Sequence, residues 1–230
     1  MLKYAVAGFV LITTGSVSQA ATSLTFTSAS IGQVRSVGFN GFTDSFGGGA
    51  ISLPGLSANL RFNLTGISGN TWSFAYSVAN TSFAPLTSAR VSVFGFNVSP
   101  TLSSATATGE FSSVNSGTVP LGRGSRDVCF RTGNGGQCAG GGNDGVTIGE
   151  AASTGVFNLI FAAPTTSVVL NDLFVRYLAL NAPSSRISGA SGVGDVMSTT
   201  VPEPATWATL IIGFATIGTA MRRSRTAATA

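Results

Sequence analysis

The chain has 230 residues, of which only 9% are charged and 30 are glycine; its 12 basic and 8 acidic side chains leave a net charge of +4, and histidine is absent. Without an imidazole to act as base, nucleophilic catalysis of the Ser-His-Asp or Cys-His kind is excluded, and zinc lacks its usual ligand set. Between residues 21 and 200 eight scattered arginines face seven carboxylates and there is no lysine, so nucleic acid is not an expected partner.

The N-terminus reads as a signal peptide over residues 1–20. Lys3 gives a small positive start, residues 4–12 are apolar, and Ser18-Gln19-Ala20 is a small-x-small site that places cleavage between Ala20 and Ala21. An uncleaved anchor is the poorer reading, because the apolar run is too short to span a bilayer. An exported chain meets an oxidising compartment, so Cys129 and Cys138, its only cysteines, are expected to form a disulfide around a Gly-rich loop. A loop of that size contributes about 2–3 kcal/mol, less any strain.

The body spans residues 21–181. A short strand is expected at 23–27, followed by a turn-rich segment that ends in Gly47-Gly48-Gly49. From 56 to 65 apolar residues fill every second position, the period of a strand with one buried face. Ser68-Gly69-Asn70 supplies a turn, and Trp72, Phe74, Tyr76 and Val78 then alternate with smaller residues, so the pair reads as a hairpin. After Pro85 the next strand covers 88–98. Val91 and Val93 share one parity while Phe94, Phe96 and Val98 share the other, which makes Gly95 the expected bulge or bend. Further strands are expected at 106–114, 126–131, 154–163 and 168–180, the last open to interruption at Asn171-Asp172. Short alternating runs rich in Gly, Ser and Thr predict an all-β, antiparallel β-sandwich, with a jelly roll or partly closed barrel as variants. Residues 182–200 carry few bulky groups and read as a flexible linker.

Residues 201–225 have three parts in fixed order. Pro202-Glu203-Pro204 is a stiff lead-in through which no helix can run. Residues 205–221 carry no formal charge and form an expected transmembrane helix of about 25 Å, short for a hydrocarbon core. Arg222, Arg223 and Arg225 then stop transfer on the cytoplasmic side, with Trp207 at the opposite interface and residues 226–230 as the tail end. A buried core helix would need neither the arginines nor the proline lead-in. This tail resembles the PEP-CTERM sorting signal of Gram-negative bacteria, in the subtype whose motif continues to Trp-Ala, here Trp207-Ala208. The resemblance implies recognition by exosortase, a membrane enzyme that cleaves near the Pro-Glu-Pro motif and passes its substrate to the cell surface or extracellular matrix. The chain would then be a substrate, held transiently in the inner membrane, and not an enzyme. The body is also similar to the cistern group of such proteins, through Ser92-Val93-Phe94-Gly95-Phe96-Asn97, through the paired cysteines around a Gly-rich loop from Val128-Cys129-Phe130 to Gly142, and through Leu173-Phe174-Val175-Arg176-Tyr177. That likeness implies no reaction and no cofactor.

Within the body, four features invite a chemical reading. Asn143 and Asp144 in Gly141-Gly142-Asn143-Asp144-Gly145 resemble one turn of a repeated calcium-binding motif, but a single copy lacks the neighbour that shares the ion. Asn63-Leu64-Thr65, Asn80-Thr81-Ser82 and Asn97-Val98-Ser99 match the glycosylation tripeptide and read more simply as polar strand positions. Trp72 and Tyr76 are candidates for stacking on sugar rings, although their shared parity with Phe74 and Val78 places them in the core. Two carboxylates facing across a cleft would suit a glycosidase, yet the acids here are few and lie mostly in loops. The expected role is therefore structural or adhesive and associated with extracellular polysaccharide; the alternatives are a carbohydrate-binding module and, third, a carboxylate hydrolase.

Overall fold

Side-chain alternation is satisfied first by the long hairpin. The computed structural model, which describes residues 23–44, 50–120, 124–133, 137–140, 143–181 and 189–196, pairs β3 (Ala50–Ser68) with β4 (Thr71–Asn80) across a turn at Gly69-Asn70. Phe62 stands opposite Tyr76 and Leu60 opposite Val78. Every second residue of β4 is buried. Gly69 has φ 59, the left-handed conformation that such a tight turn requires.

Around this pair the chain lays down β1 (Ser23–Thr27), β2 (Val34–Asp44), β5 (Ser88–Ser99), β6 (Leu102–Gly109), β7 (Ser113–Thr118), β8 (Ser125–Arg131), β9 (Val146–Thr147), β10 (Ser153–Phe161), β11 (Ser167–Asn181) and β12 (Gly189–Val196). The hydrogen-bonded order is β6-β10-β4-β3-β2-β12-β11-β5-β8-β7, with β1 alongside β11 and β9 alongside β5. All of these pairings are antiparallel. The ladder folds over so that aromatic side chains of β3, β4 and β10 meet those of β5 and β8: Phe130 and Phe157 lie 4.7 Å apart between ring centres, Phe62 and Phe96 5.9 Å with their planes at 83°. Such offset and edge-on contacts suit the ring quadrupole and fill the space between two facing layers. The all-β, antiparallel, sandwich-like expectation is met.

Four local expectations change. The parity switch in β5 comes from Ser92 and not from Gly95: Val91 pairs with Tyr177 and Val93 with Arg176, so Ser92 is the extra residue of a bulge. Its carbonyl instead accepts from the backbone N–H of Thr132 at 3.1 Å. Gly95 has a different reason to be glycine, since a Cβ there would lie 2.5 Å from the Val128 carbonyl and 2.7 Å from the Phe174 ring. The expected strand at 106–114 is two strands, β6 and β7, joined by a turn in which Phe111 is fully buried. The turn-rich segment before residue 50 contains β2, and the linker expected at 182–200 contains β12, which is paired on both sides between β11 and β2. Glycine hides β12 from a reading based on bulky side chains, and packing explains the glycine: a Cβ on Gly192 would collide with the Asn40 carbonyl and approach Val175 Cγ2 to 2.9 Å. The expected interruption of β11 at Asn171-Asp172 is a bulge in which Asp172 has φ 49.

Two predictions test this packing. Gly192→Ala is expected to lower stability by about 1–3 kcal/mol through overpacking in urea denaturation. Gly66→Ala, where an added Cβ meets nothing within 4 Å, is expected to have little effect. If residues 189–196 were a linker, neither change would register. Tyr177 is fully buried, its hydroxyl donates to the Asn40 carbonyl at 3.3 Å, and burial raises its pKa well above the ordinary tyrosine value. Because the unfolded chain ionises first, this contribution is complete below about pH 10 and is lost as pH rises through the folded-state pKa. The urea midpoint is therefore expected to fall with alkali above about pH 10, and less steeply in Tyr177→Phe.

Candidate functional site

β6 and β7 stand at opposite ends of the hydrogen-bonded ladder, yet only Glu110-Phe111-Ser112 separates them in sequence. So short a connection spans at most about 14 Å, so the two ends of the ladder must meet at this turn. Tyr76 pins it there. The Tyr76 hydroxyl accepts from the Phe111 N–H at 3.2 Å and donates to the Thr108 carbonyl at 3.0 Å. Burial raises the pKa of this hydroxyl; the Phe111 amide opposes the rise and the charge of Glu110 adds to it.

Beyond the pin the two arms do not pair with each other: β6 bonds to β10 and β7 to β8. Between them lies a cleft of about 540 Å³, lined by Ser104 and Ala105 of β6, Val114 and Ser116 of β7, and Arg126 and Asp127 of β8. Leu102, Ala105 and Val114 are only partly buried against the main core, so the core is thinly covered along this seam.

The charges at the cleft are tied to the framework. Asp127 Oδ2 accepts from the Val98 N–H at 2.8 Å, and its own N–H donates to Asn97 Oδ1 at 3.1 Å. Asn97 Nδ2 then donates to Asp172 Oδ2 at 2.9 Å, while Arg126 Nε donates to the Asp172 carbonyl at 2.6 Å. The Arg126 guanidinium lies 5.4 Å from the centre of the Phe174 ring. Burial lowers its pKa, with Asp172 and Asp127 acting in the opposite direction. This network gives both carboxylates positioning work that joins β5, β8 and β11.

On the other face of β5, Cys129 and Cys138 form the expected disulfide, their Cα atoms 5.6 Å apart. They pack with Val93, Val119 and Phe174 into a second, smaller apolar cluster. Arg131, 3% exposed, shares the outward parity of Cys129 on β8, and burial lowers its pKa.

The sequence-level candidates fall as follows. Trp72 and Tyr76 are buried in the core, which removes them as a sugar-stacking platform. Asn143 and Asp144 are exposed, and their main chain does the bonding: the Asn143 carbonyl accepts from Arg90 Nη1 at 2.8 Å and the Asp144 carbonyl from Thr132 Oγ1 at 2.7 Å. A guanidinium at the Asn143 carbonyl works against a cation there. No group of three or more acidic or cysteine side chains suited to a metal occurs among the described residues. Asn80 is buried and donates to the Ala89 and Val146 carbonyls, as befits a structural polar strand position. Arg176 lies on an interior strand, with Nη1 donating to Ser191 Oγ at 3.3 Å. Ala20, Ala21, Pro202, Glu203, Pro204, Trp207, Ala208, Arg222, Arg223 and Arg225 lie outside the described residues, as does the expected helix at 205–221. Among the described residues no helix is long and apolar enough to cross a membrane. Sequence reasoning missed the seam, because β6 and β7 carry neither charge nor strong alternation; the Gly109-Glu110 step between two short uncharged runs was the one available signal.

Replacing Cys129 and Cys138 together by serine is expected to cost about 2–3 kcal/mol in urea denaturation, and reductant is expected to do the same to the native chain but not to the variant. Tyr76→Phe is expected to cost about 1–2 kcal/mol, because the buried Phe111 N–H and Thr108 carbonyl lose their partner. No family model, curated protein or solved structure matches this chain.

Proposed function

We propose that the chain is an exported bacterial surface or extracellular-matrix protein, a substrate of exosortase, whose β-rich body does structural or adhesive work in association with exopolysaccharide. One observation carries the sorting half of this reading: Pro202-Glu203-Pro204 with Trp207-Ala208, an uncharged run, and Arg222, Arg223 and Arg225 follow one another in a single tail. Each part has a separate physical task, namely a stiff spacer, a membrane-soluble rod and a charge stop. The disulfide supports passage through an oxidising compartment. In this reading the signal peptide at 1–20 and the tail are address segments, the inner membrane holds the chain only in transit, and the body is cargo without catalysis of its own.

A carbohydrate-binding role is the second reading, favoured by the polar rim of the seam, where exposed Ser104 and Ser116 offer hydroxyls to a sugar. Saturable binding of a neutral polysaccharide to the chain would distinguish it from a purely structural role.

The sorting half is tested by mass. Protein recovered from outside the cell is expected to have lost residues 1–20 and the segment beyond the Pro-Glu-Pro motif. Serine at positions 222, 223 and 225, combined with alanine at 202 and 204, is expected to leave the chain cell-bound with its tail intact. Normal delivery of that variant, or an intact tail on the delivered native protein, would refute the sorting mechanism.

A further inference from the structure

Among the described residues Arg131 is the one charged side chain that the fold buries, at 3% exposure, and its enclosed Nε and Nη1 have no hydrogen-bond partner. We propose that this guanidinium is the binding site for a single small oxyanion, of the sulfate, phosphate or carboxylate kind, held on the cystine face of β8. The proposal goes beyond the structural reading above and depends neither on export nor on polysaccharide. It starts from what such a group costs. A guanidinium stays charged at any ordinary pH, and a charge enclosed without a counter-charge is strongly unfavourable, so buried charges are found paired. Arg35, Arg90, Arg126 and Arg176 are all less enclosed, and each donates to an oxygen. At Arg131, the most enclosed of them, no such oxygen meets Nε or Nη1. Asp127 and Asp172 support the charge of Arg126, whereas at Arg131 burial acts on the pKa with no carboxylate opposing it.

The setting is positive and closed. Arg131 pairs with Val93 of β5, and Val93 pairs on its other side with Arg176 of β11, so one row across this face reads Ser113, Arg131, Val93, Arg176, Ser191. Directly paired residues present their side chains on the same face, and two strand spacings put the two arginine Cα atoms about 10 Å apart. The turn Gln137–Ala139 packs against β5, β7 and β8, and Gly140 lies so close that an added Cβ would come within 2.9 Å of Val93 Cγ2. So covered, the guanidinium admits a small ion and no polymer. The N–H groups on Nε and Nη1 call for several acceptors at once, and an oxyanion meets a planar guanidinium with several oxygens where a halide offers a single centre.

The test is equilibrium dialysis of the full-length chain against labelled sulfate, in a mild non-ionic detergent that shields its C-terminal apolar run. The native chain is expected to hold one sulfate that Arg131→Gln binds about tenfold more weakly or not at all, as loss of a charge-assisted hydrogen bond implies. Binding to the C-terminal arginines is common to both chains, and Arg35→Gln, at an exposed position, is expected to behave as the native chain. Phosphate and acetate are expected to displace the ion, and chloride at equal ionic strength is not. Sulfate is also expected to raise the melting temperature of the native chain more than that of Arg131→Gln, above the general salt effect that the two share. Native far-ultraviolet dichroism and an intact Cys129–Cys138 bond show that each variant has folded; if Arg131→Gln does not fold, Arg131→Lys, which keeps the charge but loses the planar fork, carries the comparison. A native chain that binds no more sulfate than the variant, or a site that chloride empties as well as phosphate does, overturns the proposal.

Discussion

The middle of β5 has to be kept dry on both faces, and most of the structure is arranged to do so. Residues 91–96 are buried without a break. Phe94 and Phe96 point into the main core, against Phe62, Phe130 and Phe157. Val93 belongs to the opposite cluster under the cystine. A strand in one layer of a sandwich normally has only one buried face, so its second face needs a cover. The Cys129–Cys138 loop supplies that cover, and Gly95 leaves room for the Phe174 ring and the cystine to approach. The bulge at Ser92 allows Val91 and Phe94, three residues apart, to enter the same core.

The same economy explains the glycine-rich strand β12. Between β11 and β2 the layers turn over, and the backbone of one strand lies against the side chains and carbonyls of its neighbours. Gly189 stands where a Cβ would come within 2.6 Å of the Arg176 guanidinium, and Gly192 where one would strike Asn40. Small residues here do not signal looseness. They permit a close approach that larger residues would prevent, and they let a single hydrogen-bonded ladder continue from one layer to the other.

That continuity has a consequence at the far ends. A ladder that closed fully would have no edges; this one brings its terminal strands together at a turn pinned by Tyr76 and Phe111 and then lets them diverge. The result is a polar-walled seam over a thinly covered part of the core. Its charged residues, Arg126 and Asp127, are engaged in holding β8 to β11 and β5, with Asp172 of β11 as a partner outside the cleft. The ionisable groups along this seam therefore serve the framework.

The alternation in residues 56–65 and 72–78 made the central hairpin legible, because one wet and one dry face impose a period of two on any sequence that forms it. The disulfide was equally legible, since two cysteines allow one pairing. β2 and β12 were illegible for the opposite reason: their glycines answer to neighbours far away in the chain, which no local pattern records. The direction of Trp72 followed from parity, but the seam did not, because it exists only where β6, β7 and β8 converge after the ladder has folded over. Local periodicity reports how one strand meets water; the meeting of a sheet's two ends is a property of its whole path, and only the assembled fold contains it.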